Sequence, residues 1–203
     1  MKLTNLLVAI AATAIMTACQ PATDGGEPAA ATAAPTEGGV IEAIATRTSV
    51  RAYTADTVAA ADVEILLRAA MAAPTARDSR PWAFVVVTDT AIISQLDRQG
   101  FKAPVAIVAC GNTEKMLEGE GRDYWVQDVS AAVENLLVQA NAMGLGTVWT
   151  GVYPIADRVK GVKEILNMPE NLIPLAIVYA GKPAAEPKIK DKWDTANIYY
   201  NKF

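Results

Sequence analysis

The sequence predicts an α+β sandwich, a sheet with helices on both of its faces. One observation is alternation: strand-like and helix-like segments succeed one another from residue 40 onward. A second is composition, because the strand-like segments (82–87, 104–109, 147–152 and 173–180) are apolar nearly throughout, as strands covered on both faces are. The third is the stretch from Tyr124 to Gly144, apolar over most of a helical circumference, which asks for cover on several sides.

Residues 40–46 read as a short amphipathic helix, with Val40, Ile41 and Ile44 on one side. In residues 61–73, Val63, Leu66, Leu67, Ala70 and Met71 recur at helical spacing until Pro74 ends the run, and 74–81 is a loop. After the strand at 82–87 comes a helix over 90–99, then the strand 104–109, then a polar loop over 112–123 that could serve as a lid. Its charged residues, Glu114, Lys115, Glu118, Glu120 and Arg122, follow no readable pattern.

At about 100° per residue, the long helix gathers Gln127, Ser130, Glu134 and Asn141 into one narrow polar stripe and Asp128, Asn135 and Gln139 into a second. Trp125, Val126, Val129, Val133, Leu136, Leu137 and Ala140 fill the broad apolar arc. Gly144 supplies a C-terminal stop. The strand at 147–152 follows directly, and Pro154 suits the first position of a helix striped by Ile155, Val159, Val162 and Leu166. After the strand at 173–180, the tail from Ala184 to Phe203 mixes lysines, acids and aromatics without a period, which suits wrapping over a surface or a partner.

The chain has 203 residues and a net charge of −4, enough for about one domain with a substantial core. Without a basic run, nucleic acid is excluded as a partner. There are no histidines, which removes the Ser-His-Asp and Cys-His devices and every His-ligated metal site. Two cysteines, one of them consigned to a lipid, leave no disulfide framework. Chemistry therefore falls to Asp, Glu and Lys or to a cofactor, and no metal is expected.

Residues 1–18 carry an early lysine, an apolar stretch and small residues ahead of Cys19, the pattern of a secretory signal. Met-Thr-Ala-Cys resembles a bacterial lipobox, which implies lipid attachment at Cys19 and an address in the cell envelope. Residues 19–39 are Ala, Pro, Thr, Gly and Glu without periodicity, a flexible tether, and the folded domain spans 40–203.

No Gly-rich phosphate fingerprint follows any strand. An anion can instead be held by guanidinium and hydroxyl donors, and Arg47, Ser49 and Arg51 share one side of an extended segment. The loop Pro74-Thr75-Ala76-Arg77-Asp78-Ser79-Arg80-Pro81-Trp82 is stiffened by two prolines and carries charge between buried elements, which suits binding.

Taken in order, Arg47-Thr48-Ser49-Val50-Arg51, residues 74–82, Tyr124-Trp125-Val126-Gln127-Asp128, Trp149-Thr150-Gly151, Gly181-Lys182-Pro183 and Lys190-Asp191-Lys192 resemble the FMN-dependent nitroreductase family. The resemblance implies a central mixed sheet flanked by helices, in a homodimer with swapped tails and FMN at the interface. It assigns the phosphate and pyrimidine edge to Arg47, Thr48, Ser49 and Arg51, and the flavin-facing loop to Pro74, Thr75 and Ala76. Backbone donors to the N5/O4 edge come from the strand end at Trp149, Thr150 and Gly151, and Lys190 and Lys192 grip the phosphate. Hydride passes through flavin N5 in a ping-pong cycle that reduces nitroaromatics, quinones or similar electrophiles with no catalytic side chain, and the donor is NAD(P)H or, for an exported enzyme beyond the reach of nicotinamide cofactors, another reductant. The alternatives on the same scaffold are a non-catalytic surface lipoprotein and a flavin electron carrier. One departure stands out: Asp78 occupies the family's Asn position, and an ionised carboxylate only accepts hydrogen bonds. Asp78 would repel the flavin's carbonyl edge unless Arg77 or Arg80 neutralises it.

Overall fold

The computed structural model describes residues 39–203. The signal, Cys19 and the tether through residue 38 lie outside the described residues. The described residues form five α-helices: α1 (Gly39–Thr46), α2 (Ala60–Met71), α3 (Thr90–Leu96), α4 (Tyr124–Ala142) and α5 (Ala156–Leu166). Four strands, β1 (Trp82–Val87), β2 (Val105–Asn112), β3 (Gly146–Gly151) and β4 (Leu172–Gly181), form one sheet in the order β1-β2-β4-β3.

Every ladder of this sheet is antiparallel. The mixed sheet expected from the family pattern is present only as an isolated parallel bridge between Ser49 and Thr147. The two central strands, β2 and β4, are apolar nearly throughout because both faces are covered, and successive side chains feed opposite cores. Val105, Ile107 and Ala109 of β2, with Ala176 and Val178 of β4, pack under α2 and α4. Ala106, Val108 and Cys110, with Ile177 and Tyr179, pack on the other face against α3 and α5 residues including Ile93, Leu96 and Val162.

Pro174 sits inside β4, a central strand, where a residue without an N–H would break the ladder. The register with β2 shifts between Ala109 and Cys110, opposite Pro174, so the proline is accommodated at a bulge. Pro154 does not open α5; the Tyr153–Pro154 bond is cis, and Ile155 is the extended residue before the helix starts at Ala156.

The polar stripes of α4 are fasteners. Asn141 Nδ2 donates to Ala43 O (2.9 Å) and Thr46 Oγ1 (2.8 Å), closing the end of α1. Glu134 pairs with Arg47 Nε at 3.2 Å. From the second stripe, Asn135 Nδ2 donates to Ala69 O of α2 (3.1 Å), and Asp128 Oδ1 accepts from the Ala76 N–H (2.8 Å). Gly144, at φ 73°, lets the chain turn so that Leu145 N–H bonds back to Ala140 O at 2.8 Å.

Gly146 opens β3 where the 47–51 segment crosses it. A Cβ there would lie 2.7 Å from Val50 Cβ and Cγ1, too close for a stiff branched side chain to yield. Gly146→Ala is therefore expected to lower stability by about 1–3 kcal/mol through overpacking. Restoration by the added change Val50→Gly, which removes both contacting atoms, read as Tm in thermal melts against Val50→Gly alone, checks that this contact is the cause.

Candidate functional site

Residues 47–54 run along the open edge of β3. Val50 N–H donates to Thr147 O at 2.8 Å beside the Ser49–Thr147 bridge. The start of the tail returns to the same segment: Thr54 N–H donates to Lys182 O (2.9 Å), Ala184 N–H donates to Ala52 O (3.0 Å), and Tyr53 bridges Pro183. Tyr53 Oη donates to Val50 O at 2.7 Å, pinning the segment from behind.

These two strips of chain enclose a recess of about 370 Å³. Thr48, Ser49 and Arg51 line one wall and Lys188, Lys190 and Lys192 the other, and no carboxylate is among its lining residues. Four cations and two hydroxyls around one hollow make it a candidate anion site. Lys188 was missed by sequence reading, although Lys188, Lys190 and Lys192 alternate as residues on one side of an extended chain do.

Arg47 does not join this lining. It is turned to Glu134 of α4, largely buried, and its remaining guanidinium donors are its only further resource. The same-side convergence of Arg47, Ser49 and Arg51 thus fails for Arg47, because a carboxylate on α4 reaches it first.

The strand end is also only half available. Val50 N–H bonds to Thr147 O, and Val152 N–H bonds to Leu175 O of β4 at 3.0 Å. Along an antiparallel edge strand alternate residues face opposite directions, so Thr147, Trp149 and Gly151 face outward while Val148, Thr150 and Val152 face β4. The Thr150 amide is spent in the ladder, and its hydroxyl donates to Ile177 O at 3.0 Å. Gly151 is the outward donor, and a Cβ on it would meet nothing within 4 Å. Trp149 packs its ring against the α4 side of the core.

The loop from Pro74 is held in an unusual shape. Arg77, Asp78 and Arg80 have φ of 52°, 54° and 47°, a left-handed conformation costly for side-chain-bearing residues. Three contacts oppose that cost: Asp128 on the Ala76 N–H, Thr75 Oγ1 on the Arg80 N–H (3.1 Å), and a two-pronged pair from Arg80 to Asp78 at 2.7 and 2.6 Å. Arg80 is thus the residue that neutralises Asp78, and its hydrogen bonds hold the Asp78 carboxyl below the usual carboxylate range. Ser79 Oγ is buried with no hydrogen-bond partner among the described residues.

No cluster of His, Cys, Asp and Glu able to hold a metal is found among the described residues, and no described helix is long and apolar enough to cross a membrane. Cys110 is buried, and that burial pushes its thiol up to about 12 from 9.0. Burial likewise raises the phenols of Tyr53 and Tyr179. All three groups keep their protons longer when folded, so their stabilising contribution is complete below their unfolded values and drains away as pH climbs past them. Stability is expected to fall from about pH 9 upward, and Cys110 to resist a thiol reagent until denaturant is added. Melting curves against pH and thiol titration check both.

A nitroreductase family model matches residues 44–100 and 95–182. A relative from Methanothermobacter thermautotrophicus, named "Putative NADH dehydrogenase/NAD(P)H nitroreductase", is 38% identical over 171 residues, covering 81% of this chain and 87% of its own. The solved structure of a protein with the same description from Parabacteroides distasonis is 37% identical, with a TM-score of 0.76 over 81% of this chain and 98% of that one. An FMN-dependent nitroreductase from Clostridium difficile is 29% identical, with a TM-score of 0.71 over 80% of this chain and 99% of its own.

A two-sided α+β sheet with a cation-lined recess at its edge, matched to these relatives, defines an oxidoreductase. More particularly, the chain belongs to the nitroreductase family.

Proposed function

We propose that this protein reduces nitroaromatics, quinones or similar electrophiles with FMN as its bound cofactor. The observation that carries this reading is the gathering of Ser49 and Arg51 with Lys190 and Lys192 around one recess. The residues fit the group. A phosphate monoester needs cations and hydroxyl donors, and Ser49, Arg51, Lys188, Lys190 and Lys192 provide them. A flat ring needs an unobstructed backbone edge, and Gly151 presents one. Arg47 and Thr48 flank the phosphate end, and Pro74, Thr75, Ala76 and Asp78 form the loop that would lie against the ring.

When bound, the flavin supplies two-electron hydride chemistry that no side chain here could perform. Reducing a nitro group to nitroso consumes two electrons and two protons and releases water. The chain's own part is to bind the phosphate and aim the Gly151 N–H at the ring edge. The Asp78 charge is balanced by Arg80. In a ping-pong cycle, donor and acceptor use the site in turn. The relatives' names favour NAD(P)H as the donor.

The same reading includes a homodimer with exchanged tails. Trp193 and Tyr200 are 75% and 82% exposed, a large aromatic surface that a second copy would cover. It also includes export by residues 1–18 and a lipid on Cys19, which would set the protein at the cell envelope and require an electron donor there. Purified protein should be yellow, retain FMN through gel filtration, sediment as a dimer, and lose its colour and regain it as a nitroaromatic is added after reduction. Colourless protein that FMN does not protect against heat would instead support the non-catalytic scaffold. Reversible reduction without turnover would support an electron carrier.

A further inference from the structure

Gly151 ends β3 at the open edge of the sheet. Thr150 and Val152 on either side of it point to β4, so its own N–H and C=O both face outward. A Cβ there would touch nothing within 4 Å, and a glycine with nothing packed on it has the most backbone freedom of any residue. Two hydrogen bonds remove that freedom from the peptide that joins it to Val152. Val152 N–H donates to Leu175 O at 3.0 Å, and Arg158 Nη1 donates to Gly151 O at 3.1 Å. One rigid plane is thus gripped on both sides.

Arg158 stands where a cation is unfavourable. It is the third residue of α5, in the first turn, where unpaired N–H groups and the positive end of the helix dipole favour acids. Ile155, which precedes the helix, supplies no side-chain cap to offset this. Nor does a carboxylate: among the described residues Arg158 forms no ion pair, even with Asp157 beside it. Lys160 and Lys163 of the same helix, by contrast, pair with Glu164 and Glu170. A cation retained against the dipole and bonded to one backbone carbonyl of the candidate site marks a position kept for that site.

We propose, resting on the FMN reading above, that Arg158 is a positioning residue that also sets the flavin's potential. By holding the Gly151 carbonyl it keeps the N–H of the same residue aimed at the ring edge. Because that N–H and that carbonyl face the same way, the guanidinium stands beside the flavin edge that the amide meets. Hydride transfer to the ring adds one negative charge, and a cation at the edge favours the charged, reduced form over the oxidised one. Arg158 therefore makes the bound flavin a better electron acceptor without touching the phosphate site.

The midpoint potential of the bound flavin, read by spectroelectrochemical titration of the flavin-loaded protein, tests this. In R158A, reduced FMN is expected to lose about fivefold more affinity than oxidised FMN, a fall of about 20 mV for a two-electron couple. R158Q, a gentler change that keeps a donor and loses the charge, should fall in the same direction. R158K keeps the charge without the planar fork and should recover most of the loss. K160A removes a cation from the same helix without touching Gly151 and should leave the potential where it was. With flavin still bound, an unmoved potential in R158A and R158Q would overturn the role of Arg158. So would a fall in R158K or K160A as large as that in R158A. Wild-type protein that takes up no flavin would overturn the parent reading, and this role with it.

Discussion

Glutamine at both Arg51 and Lys190 is expected to weaken FMN binding by at least about a hundredfold. Each cation lines the recess from a different strip of chain, so together they remove one grip from either wall. A charge-assisted hydrogen bond contributes about 1.5–3 kcal/mol, and losing two costs about 3 kcal/mol at the low end, or about two decades in Kd. Lys188 and Lys192 remain, which is why binding should weaken without vanishing. Riboflavin, which lacks the phosphate, is the control: its affinity should differ little between the two proteins. Fluorescence titration with both flavins, at two salt concentrations, reads the result, and the wild-type salt dependence for FMN should be the steeper. Equal loss for FMN and riboflavin would mean that the substitutions had disturbed the fold and not a phosphate site.

Trp125→Ala is expected to cost about 3–5 kcal/mol of stability, the range for a buried indole truncated to a methyl. Trp125 sits in the first turn of α4, is only 4% exposed, and forms a wall of the larger core. Its ring lies directly over Gly111 of β2, where any Cβ would collide with it. On its other side it meets Tyr153 edge-on, with ring centroids 4.9 Å apart. Removing it opens a cavity that a glycine cannot fill from below. For a domain of this size the melting temperature should drop by about 10 °C. Trp193→Ala in the tail offers the contrast, because that indole is exposed within one chain and its loss should leave the melt of an isolated chain unchanged. Should Trp193→Ala also shift the protein from dimer to monomer in ultracentrifugation, the tail's part in the homodimer is supported.

Much of the fold was legible because burial leaves a periodic signature in composition. The four apolar runs and the intervening stripes located every strand and helix described, and the two-sided cover of the sheet follows from β2 and β4 being apolar at odd and even positions alike. Strand direction was not legible, since a strand buried on both faces has the same composition whether its neighbours run parallel or antiparallel. Nor was the bulge that tolerates Pro174, which depends on the partner strand.

For the candidate site, spacing in an extended segment pointed to Ser49 and Arg51, while Lys190 and Lys192 were expected from the family resemblance alone. What they could not reveal was competition. Arg47 has the same chemistry as Arg51, yet Glu134 claims it. Thr150 and Gly151 are neighbours, yet the alternation of an edge strand leaves only one amide free. Local spacing thus determined the elements, and the family resemblance supplied the expected cofactor and the tail lysines. The tertiary structure alone decided which donors remain uncommitted, because that depends on partners brought together from distant parts of the chain.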